Sequence, residues 1–410
     1  MTNERVVIIA GGGIAGTVAA IALHRAGLAP QLYEAHDRSA DERGAFLTVA
    51  VNGLAALRDL DLDPAAVLAA GHPTPTVVLR SGSDRVLAEL PLGGPQPDGT
   101  TTTTVRRADL YAALRTEAER RGIPVAYGSR LVDAVRRPDG VTAVFADGSR
   151  VSGDLLIGAD GLRSRTRALL NPSGPRPRYL GLLNAGGFTT APVDADIDRT
   201  PGRMHMMFGR RSFFGWVVAP DGGVWWFANP PRKHEPAAAE LGRWTSAAWR
   251  DHLLGLFAGD GAGDRTATAV IRATDLALGP WATHDLPRVP VWQDGRTVLL
   301  GDAAHAASPT SGQGASMAIE DAVTLGRCLS EVPEVPAALA TYERLRRARV
   351  ERVVVNGRRT GSSKTAGPVG AAIRDALTPL VLRLLYRNGN PQAWIIDHRV
   401  DDDFRPGARR

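Results

Sequence analysis

The run Gly11-Gly12-Gly13-Ile14-Ala15-Gly16 has the Gly-x-Gly-x-x-Gly spacing of a phosphate-binding turn. In such a turn the first glycine permits a tight bend and the second lets a pyrophosphate approach the backbone. The third allows close helix–strand packing. The N–H groups and positive dipole end of the following helix then face the phosphates. With 45 glycines in 410 residues the pattern alone is weak, so its surroundings matter. The β-branched run before it, 6–10, predicts a buried parallel strand. Residues 17–26 predict a helix stopped by Gly27, and 29–34 a second strand, completing a βαβ unit. Glu34, followed by Ala35, ends that strand where a carboxylate accepts hydrogen bonds from ribose hydroxyls and disfavours a 2′-phosphate. The turn therefore suits FAD or NAD rather than NADP.

Two further groups follow apolar strands. Gly301-Asp302-Ala303-Ala304-His305 comes after the strand 297–300. A carboxylate there can hold a sugar or ribityl chain, or simply cap a helix. The loop Pro309-Thr310-Ser311-Gly312-Gln313-Gly314 then opens a helix through Ala315, and its N–H groups suit the negative charge of a reduced flavin. The second group, Asp160-Gly161-Leu162-Arg163-Ser164-Arg165-Thr166-Arg167, follows the strand 155–158. It reads either as a turn with a capped basic helix, or as support for the flavin and for a nicotinamide cofactor's pyrophosphate.

The elements that position these groups occupy a chain long enough for two or three domains. Its 44% hydrophobic and 22% charged residues exclude a disordered protein. The formal charge of +6 is scattered and carried mostly by arginine, with Lys233 and Lys364 the only lysines, so nucleic acid is not an expected partner. The single cysteine, Cys328, sits in a helical pattern as a small hydrophobe and suits a cytoplasmic protein. The apolar stretch 6–23 resembles a signal peptide in length, but its glycine spacing assigns it to the nucleotide turn. No other stretch reaches the length of a membrane span. Hydrolase and metal-binding patterns are absent, and His305 is expected to pack rather than ligate a metal.

Between 181 and 280 Trp and Phe concentrate in strand-like runs, which predicts a largely antiparallel sheet. Phe213, Phe214, Trp216, Trp226 and Asn229, with Pro309, are the candidate walls of a pocket for a flat, largely apolar organic molecule. The helix expected after Pro368, kinked at Pro379, has Ile373, Leu377, Leu380, Val381 and Leu384 at helical spacing. That stripe is expected to dock against the two domains rather than attach to a membrane.

Taken together, and in this order, the three groups resemble the class A FAD-dependent monooxygenases, the aromatic-ring-hydroxylase type that includes para-hydroxybenzoate hydroxylase and the tetracycline-inactivating monooxygenases. The glycine turn is shared with many nucleotide-binding proteins; the Asp160-Gly161 and Gly301-Asp302 pair is more specific. The resemblance covers nearly the whole chain and implies an α/β fold. In it a Rossmann-like FAD-binding domain of the glutathione-reductase type (1–72, 100–178 and 286–360) contains an inserted, largely antiparallel β-sheet substrate domain (73–99 and 179–285). A helical segment, 361–410, braces the two.

The resemblance also implies that Arg107 contacts FAD. Arg43, before Gly44, matches less closely because 37–44 departs from the usual spacing. By the same resemblance NADPH or NADH reduces the flavin, and a flavin C4a-hydroperoxide formed with O2 hydroxylates or epoxidises the substrate. No catalytic side chain is needed, and none is assigned. Two other readings stay open: an FAD-dependent dehydrogenase or oxidase without oxygen transfer, and a non-catalytic FAD- or metabolite-binding protein. The sequence is silent on oligomeric state.

Overall fold

Short runs of branched and aliphatic residues, buried on both faces, form parallel strands because helices cover both sides of the sheet. Thr297–Leu299, Leu155–Gly158, Val6–Ala10, Ala29–Tyr33 and Val125–Ala126 pair in that order, every pair parallel. This is seen in a computed structural model that describes residues 5–37, 44–259, 261–286, 288–361 and 368–405. Helix Ile14–Arg25 packs against helix Gly314–Glu331 in the main core. A Cβ on Gly326 would stand 2.8 Å from the Ala22 Cβ, so the missing side chain permits that close crossing. On the other face lies the antiparallel sheet Arg150–Gly153, Val141–Phe145 and Leu131–Arg136. Because the five main strands run the same way, their carboxyl ends share one edge, where an open α/β sheet binds ligands.

The second sheet has seven strands, in the order Leu278–Asp285, Arg178–Phe188, Val224–Asn229, Phe213–Val218, Arg203–Phe208, Thr76–Ser81 and Val86–Pro91. It is antiparallel except where Arg203–Phe208 pairs in parallel with Thr76–Ser81. The expected sheet is therefore present, extended by the hairpin 76–91. Helices Ser246–Leu256 and Ala262–Arg272, absent from the sequence expectation, bury one of its faces. Against the other face sits a small sheet of Phe46–Val49, Thr103–Arg106 and His72–Pro73.

The C-terminal segment corrects one expectation. Ile395, Ile396 and Val400 do enter the main core. Helix Pro368–Leu385, which contains Pro379, instead lies along the sheet-edge strand Val86–Pro91. The Arg374 guanidinium stands 4.4 Å from the Phe208 ring centroid, and Arg85 donates to the Asp375 carbonyl at 2.9 Å. Ile373, Leu377, Leu380, Val381 and Leu384, expected to dock, are 47–68% exposed. The helix is anchored through its polar flank, which turns its apolar stripe outward. No helix among the described residues is long and apolar enough to cross a membrane.

Candidate active site

Each group singled out in the sequence lies at a carboxyl end of the parallel sheet. The glycine turn follows the central strand, Glu34 and Asp160 follow its two neighbours, and Asp302 follows the edge strand beyond Leu155–Gly158. Gly11 adopts φ +107°, and a Cβ there would stand 2.3 Å from the Ala159 carbonyl oxygen. A Cβ on Gly16 would stand 1.9 Å from the Gly11 carbonyl oxygen. Both glycines are thus required by the protein's own packing. Gly13 is different: its φ is −75°, and the nearest atom to an added Cβ is the Tyr111 hydroxyl at 3.6 Å. Neither backbone strain nor protein contact demands glycine there, which leaves close approach of a ligand as its reason.

Helix Ile14–Arg25 begins at Gly13 without a side-chain cap, although most of it is buried. A helix start with unmatched N–H groups and a positive dipole end fits a pyrophosphate. Glu34 lies against the same turn, where Gly12 N–H donates to Oε2 at 2.7 Å and His36 N–H to Oε1 at 2.9 Å. Its remaining lone pairs can serve a ribose, and Ala35 follows directly. Ile14 is buried beneath the turn, and Ala15 meets the second group: a Cβ on Gly301 would stand 2.9 Å from the Ala15 Cβ. Two regions distant in sequence are therefore in contact at the crevice.

Asp302 is open to the crevice and makes no hydrogen bond to another described residue. Protein crowded around its base desolvates the carboxyl and pushes it up, and the nearby Asp321 adds to this; His305 and Arg107 oppose it. Arg107 is therefore close enough to act on that carboxyl. It donates to the Tyr111 hydroxyl at 2.9 Å and packs on that ring, one helical turn along and beside Gly13. Tyr111 was missed in the sequence, where its i, i+4 spacing from Arg107 was the available signal. Arg43 lies outside the described residues.

Asp160 proves to be occupied locally. Its Oδ1 accepts from the Ser164 hydroxyl, and its Oδ2 from Thr166 N–H at 2.9 Å and the Thr166 hydroxyl at 3.0 Å. These bonds give the turn with a capped helix, Ser164 accepting from Arg167 N–H at the helix start. Gly161 takes φ +74° to turn the chain back. Arg167, buried in the same element, donates to the Ala303 carbonyl at 3.0 Å and the Leu162 carbonyl at 2.7 Å. The element thus braces the strand end that presents Asp302.

Behind Asp302 lies a charged network that the sequence did not reveal. Asp321 accepts from Gly301 N–H at 3.1 Å and from Arg346 Nε at 2.8 Å, and pairs with His305. Arg346 also reaches Glu320 at 2.7 Å, and Glu320 accepts from Arg349 and Asn52. Burial raises the Glu320 carboxyl, but Arg346 and Arg349 outweigh it and hold it at about 2. His305, stacked on Trp292, is thus a packed and paired histidine. No metal-binding cluster occurs among the described residues.

The loop after Asp302 forms a short 3-10 turn, Pro309–Ser311, followed by Gly312 in the left-handed region (φ +60°). Gln313, held by Asn52 at 3.2 Å, precedes helix Gly314–Glu331, whose start has no side-chain cap. Gly314 is helical, and nothing lies within 4 Å of an added Cβ. Like Gly13, it has no internal need to be glycine, and Ala315 follows it. Thr48 donates to the Gly312 carbonyl at 3.4 Å, which joins this loop to the small sheet.

The substrate side requires a correction. Phe214, Trp216 and Trp226 point away from the crevice into the core beneath the two helices, with Trp249 and Phe257. Trp226 Nε1 donates to Thr274 there at 2.9 Å. Alternate residues face the other way. Phe227 and Trp225 lie 5.9 Å from Phe46 of the small sheet, Trp225 is 5.5 Å from Phe188, and Phe213 is 5.8 Å from Phe227. Asn229 shares that face and donates to Asn184 at 2.6 Å. The exposed Arg106 guanidinium stands 4.7 Å from the Phe188 ring centroid and 5.2 Å from that of Trp225. The runs are apolar on both faces, so sequence alone misassigned their sides by one residue.

Known proteins match this chain in sequence and fold. The family model described as an FAD binding domain matches residues 4–219 and 280–357. The chain is 34% identical over 371 residues to the aurachin C monooxygenase/isomerase of Stigmatella aurantiaca, covering 88% of this chain and 90% of that protein. It is 30% identical to the salicylate hydroxylase of Pseudomonas putida, covering 98% and 94%. The solved structure of Klebsiella pneumoniae HpxO complexed with FAD and uric acid superimposes with a TM-score of 0.79 at 27% identity, covering 98% of both chains. With its glycine turn, Asp302 and the loop Pro309–Gly314 gathered at one sheet edge, this chain belongs to the FAD-binding-domain family of class A FAD-dependent aromatic hydroxylases.

Proposed function

We propose that this FAD-dependent monooxygenase hydroxylates a small planar aromatic compound bound between the aromatic face of the large sheet and the loop Pro309–Gly314, with NADH or NADPH as reductant. The observation that carries the reading is the pair Gly13 and Gly314. Neither has an internal reason to lack a side chain, and they stand at the two uncapped helix starts that face the crevice. FAD, when bound, supplies the redox chemistry with O2.

The residues of this chain provide the rest. The N–H groups following Gly13 hold the pyrophosphate, Glu34 the ribose, and Asp302 with Arg107 the flavin side. The start of helix Gly314–Glu331 stabilises negative charge near Gln313 and Ala315. Phe46, Phe188, Trp225 and Phe227 offer ring faces to a flat substrate and exclude water. Arg106, with no carboxylate partner among the described residues, favours a substrate bearing negative charge. A cytoplasmic setting, where reduced nicotinamide cofactor is supplied, suits this chemistry.

The test uses purified, FAD-loaded protein with 18O2 and candidate aromatic acids such as salicylate, the substrate named for one relative. NAD(P)H oxidation with one labelled oxygen atom in the product is the expected result. Label confined to peroxide or water beside an oxidised product would replace this reading with a dehydrogenase or oxidase. A separate prediction concerns Asp302→Ala. Loss of hydrogen bonds to a charged group is worth about 1.5–3 kcal/mol, so FAD affinity should fall roughly tenfold to a hundredfold. Equilibrium dialysis checks this, and unchanged affinity removes Asp302 from the cofactor site.

A further inference from the structure

Of the eleven exposed large apolar side chains among the described residues, six fall on helix Pro368–Leu385: Ile373, Leu377, Leu380, Val381, Leu384 and Leu385. They are 47–68% exposed and together present on the order of 600 Å² of apolar surface, the upper end for a monomer's largest patch. That approaches the ~800 Å² each partner buries in a stable interface of ordinary size.

The stripe also has an internal symmetry. In an antiparallel pair centred between Thr378 and Pro379, Ile373 stands opposite Leu384, Ala376 opposite Val381, and Leu377 opposite Leu380. The eleven residue steps from Ile373 to Leu384 span about 16 Å of helix. A surface whose reversed order reproduces its own apolar pattern suits an isologous two-fold contact.

Other occupants fit less well. Arg383 is the only charged residue in 376–385, whereas a helix lying on a membrane surface has a polar face rich in Lys and Arg. Arg374 pairs with Asp375 at 2.7 Å on the flank turned to the sheet. Within 1–410, the residues outside the described ones include Met1 as their only large apolar side chain.

We propose that a second copy of this chain covers the stripe, the two Pro368–Leu385 helices packing antiparallel to form a homodimer. The helix lies along Val86–Pro91, an edge strand of the seven-stranded sheet.

Sedimentation equilibrium of the full-length, FAD-loaded protein tests this. The wild type should be a dimer, and Leu377→Asp/Leu380→Asp should raise the dimer dissociation constant by a hundredfold or more on the order of the lost apolar burial. FAD content should be unchanged in that variant. Leu380→Gln, a milder change that keeps helix-forming character, should weaken the dimer in the same direction if the double variant misfolds. A wild type that is monomeric at every concentration, or a dimer unaffected by both variants, overturns the proposal. So does a monomer that pellets with phosphatidylcholine–phosphatidylglycerol vesicles, which would assign the stripe to a membrane.

Discussion

Gly11→Ala should yield a protein that no longer retains FAD. Gly11 holds φ +107°, where a non-glycine residue costs about 1–3 kcal/mol. The added Cβ would also stand 2.3 Å from the Ala159 carbonyl oxygen and 2.9 Å from Asp160 N, contacts relieved only if backbone moves. That backbone is the junction of the glycine turn with the Asp160 element, so relief displaces the N–H groups meant for the pyrophosphate. Together these costs should reduce FAD affinity on the order of a hundredfold or more.

Visible absorbance of the purified variant, with and without added FAD, reads the outcome. Gly27→Ala is the matched control. It also has positive φ (+76°), but it ends the helix away from the crevice with nothing within 4 Å of an added Cβ. It should lose some stability and keep its flavin. Wild-type flavin retention in Gly11→Ala would show that the turn is not the cofactor's grip.

Arg346→Met should be among the most destabilising single substitutions, with an expected loss of about 3–5 kcal/mol in urea unfolding. It leaves Glu320 and Asp321 buried, with Arg346 no longer between them. Because Asp321 also accepts the Gly301 N–H, FAD retention should fall with stability. The pH dependence gives a second reading. Glu320 is held at about 2 against an ordinary 4.5. Its contribution to wild-type stability is therefore full above 4.5 and is lost as pH falls through about 2. The variant's stability should change less across that window, because its carboxyl is no longer held down by Arg346. A loss below ~1 kcal/mol, with an unchanged acid profile, would mean the network relaxes without cost.

Cys328 illustrates how little some residues contribute to chemistry. Its thiol is buried, and burial pushes it up to about 12, so it behaves as a small hydrophobe.

What the sequence determined was the local chemistry of the crevice. Gly11 and Gly16 are dictated by distances within one βαβ unit, and Glu34 by the end of the next strand. Short buried runs such as Val6–Ala10 and Leu155–Gly158 state their own parallel pairing through composition. The linear order of the turn, the Asp160 element and Gly301-Asp302 also held the family resemblance.

Tertiary structure decided what depends on sidedness and distant contact. Phe214, Trp216 and Trp226 differ from Phe213 and Phe227 by strand register alone, and with both faces apolar only the packing of helices Ser246–Leu256 and Ala262–Arg272 assigns the sides. Asp321, Glu320 and Arg346 look like ordinary helix-surface charges in the sequence; folding places two helices so that those charges meet without water. The stripe from Ile373 to Leu384 shows the same division. Its periodicity announced a helix with one apolar face, but the anchoring of Arg374 on Phe208 decided that this face points outward. A period in the sequence specifies which residues share a side, and only the assembled fold specifies what that side meets.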